Sequence, residues 1–195
     1  MSRLKTQIGT LLTFIAVLCN FNTLVAQDAK VVLAESKLKV LGTSNVHDWE
    51  IEAKGMNGKA TMTIDAGDLK AIKSLDFTVE VEQLKSGKSG MDNNTYKALN
   101  SKTYKTINFK VTNVSKITEA SAGSFTVETQ GDLTISGVTK KINQTFAVKI
   151  VGKKAIVSGK TKIDMTTYSV KPPTALMGTI KTGKDVTVDF KVTYN

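Results

Sequence analysis

The chain has 195 residues, a net charge of +10, one cysteine and one histidine. That length fits one domain, and so few thiols and imidazoles leave neither a disulfide framework nor a zinc-ligand set. The positive charge comes without the interleaved aromatic and basic residues that read nucleic acid, so no nucleic-acid partner is expected; lysines on outward strand positions and turns keep the surface solvated and favour transient contact with a membrane surface.

Residues 1–26 read as a secretory signal peptide. Arg3 and Lys5 supply a basic start, residues 8–18 are apolar but for Gly9, Thr10 and Thr13, and Thr23-Leu24-Val25-Ala26 offers an exit site. The apolar run is too short to span a bilayer. Leu18 is not the small residue that a lipoprotein signal needs before its cysteine, so Cys19 leaves with the signal. The mature domain is then 27–195, periplasmic or secreted, with no strand before about Lys30.

Strand signals fill the mature chain. Residues 36–42 place Leu38 and Val40 on one face, and residues 46–53 turn Trp49, Ile51 and Ala53 inward. Asn57-Gly58 reads as a tight hairpin turn that sets Ile51 against Ile64 and Ala53 against Met62. Residues 59–65 and 74–84 continue with Ala60, Met62, Ile64 and then Leu75, Phe77, Val79, Val81 inward. Alternation stops over 85–101, where Asp92-Asn93-Asn94 precedes a helix-compatible stretch and reads as the cap of a short helix sharing Tyr96 and Leu99 on one face. Ile107, Phe109 and Val111 restore the strand period.

The clearest stretch is 125–165. Ser136-Gly137 and Gly152-Lys153 are two-residue turn signals. The first pairs Ile135 with Val138, Val127 with Phe146, Thr129 with Gln144 and Gly131 with Ile142. The second pairs Val148 with Val157, Phe146 with Gly159 and Ile142 with Ile163. A one-residue slip would scramble the shared inner face. The middle of that face carries Thr129, Gly131, Gly159 and Thr161, small residues that leave space. An irregular stretch, 166–182, precedes a last strand with Val186, Val188, Phe190, Val192 and Tyr194 on one face. The expected fold is all-β, an antiparallel barrel of about eight strands with a short helical insertion, able to hold one small ligand inside.

No catalytic constellation emerges. Ser44, His47 and Asp48 are close in sequence, but His47 and Asp48 point to opposite faces of a strand, which a nucleophilic triad does not allow. No paired inward carboxylates and no phosphate-cradling glycine loop are present. A binding protein is expected, not an enzyme, with no cofactor.

Gly131–Lys141 (G-D-L-T-I-S-G-V-T-K-K), Thr103–Lys110 (T-Y-K-T-I-N-F-K), Ser36 with the first strand, and the closing K-P-P…M-G…K-T-G-K-D-V-T-V stretch carry a resemblance. The chain resembles the YceI-like family, polyisoprenoid-binding proteins of the bacterial periplasm. Gly42–Glu50 looks like a subgroup variant of that family's second strand. Met91 stands where an Arg is usual before Asp92, and Lys105 where a Pro is usual after Tyr104. The resemblance implies a lipocalin-like barrel with an elongated apolar cavity and a long isoprenoid ligand, such as a quinone or polyprenyl tail. It brings no catalytic residues. The expected lining is Trp49, Ile51, Met62, Phe77, Val79, Phe109, Leu133, Phe146 and Ile163. Tyr96, Leu99, Met165, Tyr168 and Met177 are candidates for the mouth or lid. The competing reading is a solid-core secreted structural or stress-related module without a dedicated ligand.

Overall fold

The computed structural model describes residues 26–195. The signal-peptide reading, Cys19 included, lies outside the described residues apart from Ala26. Among the described residues twelve strands form: β1 (Ala26–Lys30), β2 (Lys37–Ser44), β3 (Trp49–Ala53), β4 (Met56–Asp65), β5 (Asp68–Glu80), β6 (Leu84–Lys85), β7 (Thr106–Ser121), β8 (Ser124–Ile135), β9 (Val138–Val151), β10 (Lys154–Asp164), β11 (Thr174–Ala175) and β12 (Ile180–Tyr194). Among the same residues one α-helix, α1, spans Ser89–Ala98. The strand count exceeds eight because β1, β6 and β11 are too short to show a period. The first strand begins at Ala26 rather than near Lys30.

Every pairing is antiparallel, and the sheet runs β1-β4-β5-β7-β8-β9-β10-β12-β2-β3-β6, with β11 on β12. It curls into a lipocalin-like half-barrel. Its two ends approach through the loops: Lys54 N–H donates to Gln83 O at 2.8 Å, and Glu80 N–H donates to Gly55 O at 3.0 Å. Lys30 and Asn195 exchange a pair of backbone bonds at 2.9 Å, tying β1 to the end of β12.

The β8–β9 hairpin has the expected register, Ile135↔Val138 through Val127↔Phe146. Ser136 and Gly137 both take left-handed backbone, as a tight hairpin turn demands. The β9–β10 hairpin begins as expected with Val148↔Val157, but its ladder ends at Ala147↔Ser158. Phe146 and Gly159, and Ile142 and Ile163, are therefore not ladder partners. β10 instead follows β12, pairing from Ala155↔Tyr194 to Asp164↔Asp185.

Asn57-Gly58 is not a turn. Both residues lie inside β4, which pairs with β1 and β5, while β3 pairs with β2 and β6. Ile51–Ile64 and Ala53–Met62 are thus not pairs. A Cβ on Gly58 would sit 2.3 Å from Asp76 O, so glycine is there for close backbone approach. The turn of this hairpin is Ala66-Gly67, with φ of 49° and 92°.

The main core joins Val127, Val148, Phe146, Leu75, Met62, Val192 and Tyr194. A second cluster gathers Leu38, Ile51, Ala53, Met56, Val79 and Leu84 beside α1, and a third gathers Leu133, Ile135, Tyr168 and Val170.

Candidate functional site

The inward faces of the strands enclose a cavity of about 620 Å³. Size and lining both suit a small-molecule site, which is typically several hundred Å³ and mostly apolar. Leu75, Val157, Val192 and Tyr194, all part of the main core, make the floor. The wall is continuous aliphatic and aromatic surface: Val186, Val188 and Phe190 of β12, Leu38 and Val40 of β2, Ile107 of β7, Ile135 of β8 and Ile142 of β9. Among the lining residues His47, Lys88, Gly90 and Thr174 are exposed, which puts the mouth between the start of α1, the turn after β2 and the segment around β11.

Of the nine expected lining residues, Trp49, Ile51, Phe77, Val79, Phe109, Leu133, Phe146 and Ile163 face this cavity. Met62 does not. It is 1% exposed in the main core, because β4 lies between β1 and β5 and not beside β3. Of the mouth candidates, Leu99 and Met165 line the cavity. Tyr96 lies on α1, and its hydroxyl donates to Glu82 O at 2.9 Å or Leu84 O at 3.0 Å and accepts from Lys85 Nζ at 2.7 Å. Tyr168 is buried in the third cluster, and Met177 points fully into solvent. The β12 and β2 residues escaped selection although their alternation was plain; what was missing was that β12 sits between β10 and β2.

The inward glycines do not carve this space. A Cβ on Gly131 would lie 2.5 Å from Phe109 Cε2, one on Gly159 2.9 Å from Phe190 Cζ, and one on Gly42 2.1 Å from Trp49 Cζ2. Aromatic rings from adjoining strands cover each glycine. The room comes instead from the lower part of the β9–β10 hairpin, where Ile142, Gln144, Thr161 and Ile163 line the cavity beyond the end of the ladder.

Two polar side chains, Gln144 and Thr161, sit in the wall. Gln144 is buried; its Oε1 accepts from Thr161 Oγ1, its Nε2 donates to Thr145 O at 2.6 Å, and its carbonyl accepts from Thr129 Oγ1 at 2.8 Å. All these polar atoms are partnered, as buried groups require. At the mouth, Ser44 Oγ accepts from the backbone N–H of Val46 and His47 and donates to His47 O. The His47 ring bonds Asp48 O at 2.7 Å. These bonds close a turn, and the Ser44 hydroxyl bonds the His47 backbone and not its ring.

The expected Asx cap is absent. α1 starts after Lys88, with no side-chain cap, and Asp92 lies in its first turn. Asp92 accepts from the Ser86 N–H at 2.7 Å and Ser86 Oγ at 2.6 Å. Its burial pushes the carboxyl pKa up, but the two Ser86 bonds outweigh that and hold it below the ordinary value. With Ser136 Oγ donating to Leu99 O at 2.9 Å, the helix is fastened at both ends.

A curled antiparallel half-barrel around one apolar cavity defines a lipocalin-like class of protein. Within that class, the YceI-like domain model matches residues 26–194, and the chain belongs to that family. No curated protein matches it. Among solved structures, Burkholderia cenocepacia BcnA is similar over 84% of this chain and 98% of its own, with a TM-score of 0.64 and 19% identity. A polyisoprenoid-binding domain from Saccharophagus degradans, implicated in plant cell wall breakdown, is similar over 88% of this chain and 99% of its own, with a TM-score of 0.64 and 13% identity. At these identities the likeness is one of fold.

Proposed function

We propose that this protein holds one long apolar lipid chain, an isoprenoid such as a quinone or polyprenyl tail, inside the half-barrel, and that it works as a carrier or store outside the cytoplasm. The cavity carries this reading: about 620 Å³ of space, bounded by aliphatic and aromatic side chains and opening at one end. Moving a hydrocarbon chain from water onto such a surface is favourable by about 25 cal/mol per Å² of apolar area buried, with few polar contacts needed. The polyisoprenoid-binding domain of the same fold supports the ligand class, and the basic-then-apolar amino terminus supports export. The test is to purify the chain from a host with its own isoprenoid lipids, extract it with organic solvent and weigh the extract by mass spectrometry. About one isoprenoid lipid per chain is expected. An extract without lipid, from protein that also takes up none when offered, would return the chain to the solid-core module.

A further inference from the structure

Three apolar side chains at the mouth face water. Val46 is 60% exposed, Leu176 72% and Met177 108%. Val46 belongs to the turn after β2, and the other two to the 3-10 turn Leu176–Gly178. Asn45 binds these segments into one tip: its Nδ2 donates to Thr179 O at 2.9 Å, its Oδ1 accepts from Lys181 N–H at 2.8 Å, and its own N–H donates to Lys181 O at 3.1 Å. The same segments supply Ser44, His47, Ala175, Ile180 and Thr182 to the cavity edge, so the tip and the opening coincide.

The backbone of the tip is costly. Leu176 and Met177 have φ of 47° and 56°, a left-handed region that residues with bulky side chains seldom occupy. A loop selected only for solubility would carry Gly or Asn there. Strain of this kind collects at functional sites.

Charge points the same way. Lys88, Lys171 and Lys181 are exposed around the mouth and, like most of the lysines, have no carboxylate within 4.0 Å among the described residues. Asp48 is the acid on the turn itself. Apolar residues flanked by lysines are the chemistry of an interfacial anchor, the apolar groups entering the acyl boundary and the lysines meeting anionic head groups.

We propose that this tip docks the cavity mouth on an anionic lipid bilayer, so that a lipid passes between bilayer and cavity without crossing water. The proposal rests on the cavity's reading as a lipid site. Stripped full-length mature protein is sedimented with vesicles of phosphatidylcholine, and with vesicles of one part phosphatidylglycerol to three parts phosphatidylcholine. The variants are Leu176→Asn with Met177→Asn, which keeps a left-handed backbone, and Lys171→Gln with Lys181→Gln. Val151→Ser, an exposed apolar position at the end of β9 and far from the mouth, is the control.

The parent and Val151→Ser should bind the anionic vesicles and bind the neutral ones weakly. The double asparagine variant should lose about tenfold in binding, and the glutamines about fivefold for each lysine. Transfer of an isoprenoid quinone from vesicles should slow in the same order, while uptake of that quinone from detergent stays unchanged. Equal binding by the parent and the asparagine variant would overturn the proposal, as would parent protein that ignores vesicles and dimerises through the tip. Equal binding to both vesicle types would overturn the anionic assignment. Failure of all variants and the parent to take quinone from detergent would instead defeat the cavity reading, leaving the vesicle result to stand or fall separately.

Discussion

A Cβ on Gly131 would sit 2.5 Å from Phe109 Cε2 and 2.7 Å from the Lys110 carbonyl oxygen. The ring can yield; the backbone oxygen cannot without moving β7. Gly159 meets only the end of the Phe190 ring at 2.9 Å and Phe146 Cβ at 3.4 Å. Gly131→Ala is therefore expected to cost about 2 kcal/mol in urea unfolding, within the range for overpacking, and Gly159→Ala clearly less. Equal midpoints for both variants and the parent would show that the rings step aside freely. The alternation of β8 and β10 told that these glycines face inward. It did not tell that β7 lies beside β8 in a register that swings Phe109 over Gly131, because that requires knowing strand order. Met62 was misplaced for the same reason: its face was legible, its neighbours were not.

At the scale of elements, the hairpin turns at Ser136-Gly137 and Gly152-Lys153 were legible, while those at Ala66-Gly67 and Gly123 were not, although they too have positive φ. Ser136-Gly137 declared itself because both residues adopt left-handed backbone and both flanks alternate in phase. Asn57-Gly58 gave the same local signal, yet β4 runs straight through it and turns at Ala66-Gly67, where Gly58 serves close packing on Asp76. The helix was legible as a break in alternation, but its start was not, since Asp92 bonds back to Ser86 instead of capping. The departure of β10 from β9 had no local signal at all. One contact fixes where β10 ends: Asp164 accepts from Lys184 Nζ at 2.5 Å and from Thr166 N–H at 2.9 Å. The Lys184 hydrogen bond, then those from Thr166, hold the Asp164 pKa down at about 2, against an ordinary 3.8. A depressed carboxylate stabilises the fold above its ordinary value and stops doing so as pH falls through its folded value. The parent should thus lose stability between about pH 4 and pH 2. Asp164→Asn should flatten that limb of a urea-midpoint profile, meeting the parent near pH 2 and lying slightly below it at neutral pH, slightly because the pair is exposed. A variant that tracks the parent down to pH 2 would remove this contact from the account.

For the molecule as a whole, the central claim is that the half-barrel is hollow and takes a ligand. Packing density makes this testable by volume. Val148 is fully buried in the main core, whereas Val188 of β12 borders the cavity. Val148→Phe should cost about 1–3 kcal/mol by overpacking, while Val188→Phe adds its ring to open space and should leave stripped protein as stable as the parent. Trp49 supplies the readout. It is the single tryptophan of the chain, it lines the cavity, and its indole N–H is held by Thr43 O at 2.9 Å. The decisive measurement is Trp49 emission while stripped protein is titrated with a long-chain isoprenoid quinone. The account predicts a saturable change that ends at about one quinone per chain and is much weakened in Val188→Phe. Emission that never saturates, or a titration of Val188→Phe that superimposes on the parent's, would contradict it.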